Sequence, residues 1–139
     1  MRDLHRAYVA GLFDGEGSVI AKMGSTTRDQ FSCRISIAQK NPVVLYAVKR
    51  TLGYGQVHET NIGTFFYKVD SAPQVMEFIR FVYPYSVVKR EQLRLGYKLA
   101  KLVGKFDEKA HASRRELGFQ IRSLNVEKRR RILRSTKAA

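Results

Sequence analysis

The stretch from Leu4 to Gly17 constrains this chain more than any other, because it ends an apolar helix on a carboxylate set between two glycines. Leu4, Tyr8 and Leu12 recur at helical spacing with Ala7 and Gly11 between them, and Gly15 and Gly17 stop the helix at a turn. Ala7, Ala10 and Gly11 carry so little side chain that another backbone can come close, so this helix reads as one that lies against a second helix. Glu16 then stands at the far tip of that contact. A carboxylate there opposes the negative end of the helix dipole, an arrangement that calls for a cation.

Val9 to Gly17 reads VAGLFDGEG and resembles, almost letter for letter, the motif that defines the LAGLIDADG homing endonucleases. In that family the motif helices of two halves pack together, and the final acid of each holds a divalent metal at the scissile phosphate. A solvated amphipathic helix with a glycine-rich end accounts for Gly15 and Gly17 but not for the small-residued face. The chain has 139 residues, enough for one domain with a real core but too few for two αββαββα units, and it carries the motif once. The resemblance therefore implies a homodimer with two-fold symmetry. Ala7, Ala10, Gly11 and Asp14 are its expected interface, and a roughly palindromic double-stranded DNA is its expected target.

Composition agrees with such a partner, since a net charge of +14 points to a polyanion. No apolar run is long enough for a membrane span and the first residues lack a secretory pattern, so the expected location is intracellular, in the cytoplasm or an organelle matrix. Cys33 is the one cysteine, which excludes an internal disulfide and a cysteine zinc cage and reads as a small core residue. His5, His58 and His111 are too scattered to form a metal-ligand spacing.

Past the motif, Ser18 to Met23 is a short strand, and Gly24, Ser25, Thr26 and Thr27 make a turn into Gln30 to Lys40, whose alternation is strict. Phe31, Cys33, Ile35 and Ile37 face the core; Gln30, Ser32, Arg34 and Ser36 project from the other side, able to read base edges in a major groove. An ordinary solvated sheet face accounts for that polarity equally well. Asn41-Pro42 starts a helix with Leu45, Val48 and Leu52 on its inner face, closed by Gly53. Strands Gln56 to Thr60 and Thr64 to Asp70 follow, joined by Asn61-Ile62-Gly63 as a hairpin. Ser71-Ala72-Pro73-Gln74 has capping-box form before a helix with Val75, Phe78, Ile79 and Val82 buried, ended by Tyr83-Pro84. Another helix runs from Ser86 or Val87 with Val88, Leu95, Leu99 and Leu102 to Gly104. Residues 105–113 read as an exposed connection. The tail from Ser113 to Lys137 is basic apart from Glu116 and Glu127, with Leu117, Ile121 and Leu124 as an apolar stripe. A break near Asn125 is expected to swing Lys128, Arg129, Arg130 and Arg131 onto phosphates; a solvated basic tail is the plainer alternative.

The fold class is thus α+β: an αββαββα core with an antiparallel saddle sheet backed by helices, over 1–104, and a basic helical extension over 105–139 in the same single domain. Within the sheet, Ser18, Ile20, Lys22, Gln30, Ser32, Arg34, Ser36, Lys40, Gln56, His58, Thr60, Thr64, Phe66 and Lys68 are the expected DNA-contacting set, with Lys128, Arg129 and Arg130 added by the tail. By resemblance, Glu16 is the metal ligand with the Gly15 carbonyl beside it. Asp14 matches the acid that supports the backbone at the helix end. Gln39 and Lys89 fall where the family places groups near the attacking water. Mg²⁺ is the expected cofactor, with Mn²⁺ or Ca²⁺ able to occupy the site. Some relatives carry a basic residue where this chain has Val43; Lys40 is its candidate substitute. The expected activity is a staggered, site-specific double-strand cut in a long DNA target. An intron RNA maturase and a non-cleaving DNA-binding regulator are the alternatives, the latter disfavoured by the intact Glu16, Gln39 and Lys89.

Overall fold

A computed structural model describes residues 4–24 and 30–138, and the side chains of these up to Glu127. Helix α1 (Arg6–Glu16) runs directly into strand β1 (Gly17–Met23), followed by β2 (Phe31–Gln39), α2 (Val43–Leu52), β3 (Gln56–Glu59), β4 (Phe65–Val69), α3 (Ala72–Val82), α4 (Arg90–Leu102) and α5 (Glu108–Ala138). The four strands form one antiparallel sheet in the order β1-β2-β4-β3. This is the expected αββαββα order with helices added at the C-terminal end. Most of the expected turn of Gly24, Ser25, Thr26 and Thr27 lies outside the described residues.

The two faces of the sheet follow from strict alternation along β1 and β2. Val19 and Ala21 on β1, Phe31, Cys33, Ile35 and Ile37 on β2, and Tyr67 and Val69 on β4 are buried beneath α1, α3, α4 and α5. Helix α1 contributes Val9, Ala10 and Phe13 to this core; α3 contributes Val75, Phe78, Ile79 and Val82; α4 contributes Leu93, Leu95 and Leu99. Gly17 sits where the helix becomes the strand, and a Cβ there would lie 2.1 Å from the Phe13 ring, so only glycine lets that ring fold back under the junction. The β3–β4 hairpin closes as expected, with Gly63 in the left-handed region (φ 76°) and Thr60 N–H donating to the Thr64 carbonyl at 2.8 Å.

Four local expectations fail for identifiable reasons. Ser71 stands before α3 but makes no side-chain cap bond. Helix α4 begins at Arg90, not at Ser86 or Val87: Tyr83–Tyr85 forms a 3-10 turn, and the backbone of residues 87–89 is held by the Asp14 carboxylate instead of winding into helix. Val88 is accordingly exposed. The exposed connection is shorter than expected, since α5 starts at Glu108 with the Asp107 side chain accepting the Ala110 N–H at 2.7 Å. There is also no break at Asn125. Its side-chain amide donates to the Val19 carbonyl at 2.9 Å, and Arg122 reaches the Ala21 carbonyl at 3.3 Å, so α5 runs on while pinned along the sheet's outer strand.

The stripe of Leu117, Ile121 and Leu124 does face the core, with Ile121 fully buried and Phe119 edge-on to Phe31. Arg114 places two donors on the Phe31 carbonyl, at 3.0 and 2.8 Å, and burial pulls its pKa down. Among the described residues no helix is long and apolar enough to cross a membrane.

Candidate metal and nucleic-acid site

Three groups converge on the end of α1. The Asp14 carboxylate accepts the Ser86 hydroxyl and the Val87 N–H at 2.7 Å, with the Val88 and Lys89 N–H groups further off at 3.3 Å. Burial tends to raise its pKa, but the hydrogen bonds from Ser86, Val87, Val88 and Lys89 prevail and hold it below the usual carboxylate value. Lys89 is buried, and its ammonium donates to the Phe13 carbonyl at 3.0 Å and the Asp14 carbonyl at 2.8 Å. A cation therefore already sits on the negative end of the helix dipole.

Glu16 lies two residues further on, at the last position of the helix. Its carboxylate is exposed and has no hydrogen-bond or ion-pair partner among the described residues. Gly15 beside it is exposed too, with open space where a Cβ would be. The register of the sheet brings in Gln39: Gly17 pairs with Ile37, so the last residue of β2 stands two positions past that pair, level with the helix end. Glu16, Gly15, Gln39 and Lys89 thus share one corner of the fold. Among the described residues no group of three His, Cys, Asp or Glu could hold a metal ion.

The expected reading face is assembled by register alone. Ser18, Ile20 and Lys22 on β1 pair with Ser36, Arg34 and Ser32 on β2; Ser36 pairs with Lys68 on β4, and Gln56 and His58 on β3 pair with Lys68 and Phe66. All of these point away from the helices. Ser18, Lys22, Gln56 and His58 are exposed, while Ile20, Ser32, Arg34, Phe66 and Lys68 are half-buried. Ser36 corrects the list. It is only 5% exposed, a short side chain on a central strand shadowed by its neighbours, and cannot reach a base. Arg34 is paired with Asp70 at 2.6 Å. The Thr60 hydroxyl is spent on closing the hairpin, donating to the Thr64 carbonyl at 3.0 Å, and Thr64 takes part through its backbone. Gln30 and Lys40 lie just beyond the ends of β2. Lys128, Arg129 and Arg130 are helical, but their side chains lie outside the described ones.

The expected interface divides in the same way. Ala7 and Gly11 are exposed, as are Tyr8 and Gly15 on the same helix; Ala10 is fully buried against its own core and so cannot meet another copy, and the Asp14 carboxylate is turned onto Ser86 and the backbone of residues 87–89. Apart from its chain neighbours and its own helix backbone, no described residue lies within 4 Å of a Cβ built at Gly11. The elements beside α1 expose further large apolar side chains, Val43 and Tyr46 on α2 and Tyr85, Val87 and Val88 after α3. Sequence reasoning missed Ser86, the buried hydroxyl on Asp14; its one signal was a serine directly after Tyr83-Pro84-Tyr85.

A family model described as LAGLIDADG endonuclease matches residues 9–103. The chain belongs to that family. Among solved structures, the archaeal intron-encoded homing endonuclease I-Vdi141I is 24% identical with a TM-score of 0.73, covering 85% of this chain and 82% of its own. The homing endonuclease I-TnaI is 18% identical with a TM-score of 0.74 over 96% of this chain and 99% of its own. The LAGLIDADG meganuclease I-AabMI matches 83% of this chain but only 44% of its own (TM-score 0.71, 18% identity). Among curated protein sequences none matches.

Proposed function

We propose that two copies of this LAGLIDADG endonuclease pair through α1 and make a staggered, divalent-metal-dependent, site-specific double-strand cut in a long, roughly palindromic DNA. The observation that carries the reading is Glu16, an exposed carboxylate without a partner among the described residues, at the tip of a helix whose outer face is made of Ala7, Gly11 and Gly15. A glycine inside a helix costs roughly 1 kcal/mol against alanine. Gly11 gains nothing for that within its own subunit, but a second backbone close against it explains the choice. The I-AabMI comparison fits the same arithmetic, since one copy of this fold fills under half of that chain.

The donor set suits a hard cation. Glu16 and the Gly15 carbonyl offer oxygen ligands in the open, and Mg²⁺ characteristically takes one or two carboxylates and completes its shell with phosphate oxygens and water. When bound, such an ion activates water and offsets phosphate charge. Relatives support the choice, for I-CvuI has been crystallised with DNA in the presence of Mg and of Ca.

The chain's own residues do the rest. Two Glu16 carboxylates brought together at a dimer axis would repel one another, and a divalent cation held by Glu16 and the Gly15 carbonyl would offset that repulsion. Gln39 orients a water beside them. Lys89, fixed on the Phe13 and Asp14 carbonyls, keeps the site's potential positive where charge develops on the phosphate. Lys22, Lys68, Gln56 and His58 follow the groove.

The test is to incubate purified protein with a plasmid carrying the uninterrupted form of the sequence that its gene interrupts, with and without Mg²⁺. Metal-dependent linearisation is expected, and Glu16→Gln should abolish it while leaving DNA affinity within about threefold. A Glu16→Gln protein that still cuts near the wild-type rate rules the assignment out.

A further inference from the structure

Helix α4 carries a row of cations that neither the core nor the sheet's reading face uses. Arg94, Lys98 and Lys101 follow one another on its exposed side, behind the sheet, with Lys105 just past its end; Arg94 is paired with Glu91, while Lys98 and Lys101 stand in the open. Beside this row, between α4 and the end of α3, lies a cleft of about 670 Å³. Its walls are Ile79, Tyr83, Pro84 and Tyr97, and Arg80, Arg94, Lys98 and Lys101 stand around it. The aromatic rings already hold cations. Arg90 lies 4.2 Å over the Tyr83 ring, Lys101 lies 5.8 Å from the Tyr97 ring centre, and Arg80 donates to the Tyr97 hydroxyl at 2.9 Å.

An apolar, aromatic-walled cleft inside a cationic ring is selective in what it complements. A membrane or an acidic peptide satisfies the charge but has no flat apolar body to offer the rings. Duplex DNA has phosphates, but its bases are stacked and cannot enter a recess. A single strand supplies both parts, a base free to slide against Tyr97 and Pro84 and phosphates spaced along the chain to meet Lys98 and Lys101. We propose that the α3–α4 cleft binds single-stranded nucleic acid by seating an unpaired base against Tyr97 and Pro84, without regard to the sugar. This surface lies on the opposite side of the sheet from the duplex-reading face, so it does not depend on the cleavage reading above being right.

The test measures binding of fluorescent twelve-residue oligo-dT, oligo-U and an unrelated duplex over a range of salt concentrations. Three proteins are compared: wild type, Lys98→Gln/Lys101→Gln and Tyr97→Leu. The double substitution should weaken both single strands at least tenfold and lower their salt slope by about 1.4, while the duplex changes less than threefold. Tyr97→Leu leaves the charge unchanged and should still cost single-strand affinity about tenfold. Photo-crosslinking with an iodinated strand should mark Tyr83 or Tyr97. The proposal is overturned if single strands and duplex lose affinity together, if Tyr97→Leu is silent, if only the RNA or only the DNA strand responds, or if the crosslink falls on the sheet face. Because Glu16 and the sheet are untouched in every variant, failure here leaves the cutting assay unaffected, and failure of cutting leaves these affinities standing.

Discussion

Asp14 and Glu16 stand two residues apart at one helix end, yet their surroundings give them opposite roles. Asp14 faces inward onto Ser86 and the backbone of residues 87–89, while Glu16 faces open space. Replacing Asp14 by Asn turns an amide donor towards groups that are themselves donors and should cost about 1–3 kcal/mol of stability, read as a lowered urea midpoint at unchanged slope. The pH dependence has a definite sign. A carboxyl whose folded pKa lies below its unfolded one stabilises fully above the unfolded value, about 3.9 for Asp, and that contribution fades as pH falls through the folded pKa. Wild type and Asp14→Asn should therefore converge in stability in acid and separate above about pH 4; a constant gap would mean that charge plays no part. Cys33 gives a second check at this scale. Burial pushes its thiol up to about 12, so it should react with thiol reagents only on unfolding.

At the scale of elements, the helix and strand types were legible because alternation and helical spacing are local signals. Phe31, Cys33, Ile35 and Ile37 could be assigned a face from the chain alone, and β2 buries them. What stayed hidden depended on partners distant in sequence. Nothing near Ser86 says that Asp14, 72 residues away, will hold the next three residues out of a helix. Nor does anything near Asn125 say that its amide will reach Val19 and let α5 run on. Ala10 was placed on the wrong side of α1 because small residues cover both sides of that helix, one against its own core and one open. The open side gives a prediction for Gly11. Alanine fits the space and should leave the fold as stable or slightly more so, by up to about 1 kcal/mol. Leucine should leave the monomer folded but raise the dimer dissociation constant at least a hundredfold, as read by sedimentation. A Gly11→Leu protein that dimerises like wild type would move the interface elsewhere.

For the whole molecule, the charge of +14 is spread over the sheet face, the α4 row and the end of α5. Beyond Asn125, α5 continues for ~20 Å at helical rise and includes Lys128, Arg129 and Arg130. Neutralising those three should weaken duplex binding uniformly across sequences and lower its salt slope by about 2.7 if each meets one phosphate, whereas a solvated tail predicts no change.

The two-fold arrangement is the claim on which the chemistry rests, because it is what brings two Glu16 carboxylates to one site. Cysteine crosslinking tests it directly, since Cys33 is buried and contributes no background. Under mild oxidation Gly11→Cys should convert nearly completely to a disulfide-linked dimer, far faster than a Phe106→Cys control placed on the exposed α4–α5 connection. If Gly11→Cys crosslinks no faster than that control at concentrations where the protein is active, α1 does not meet its copy and the account of the site is wrong.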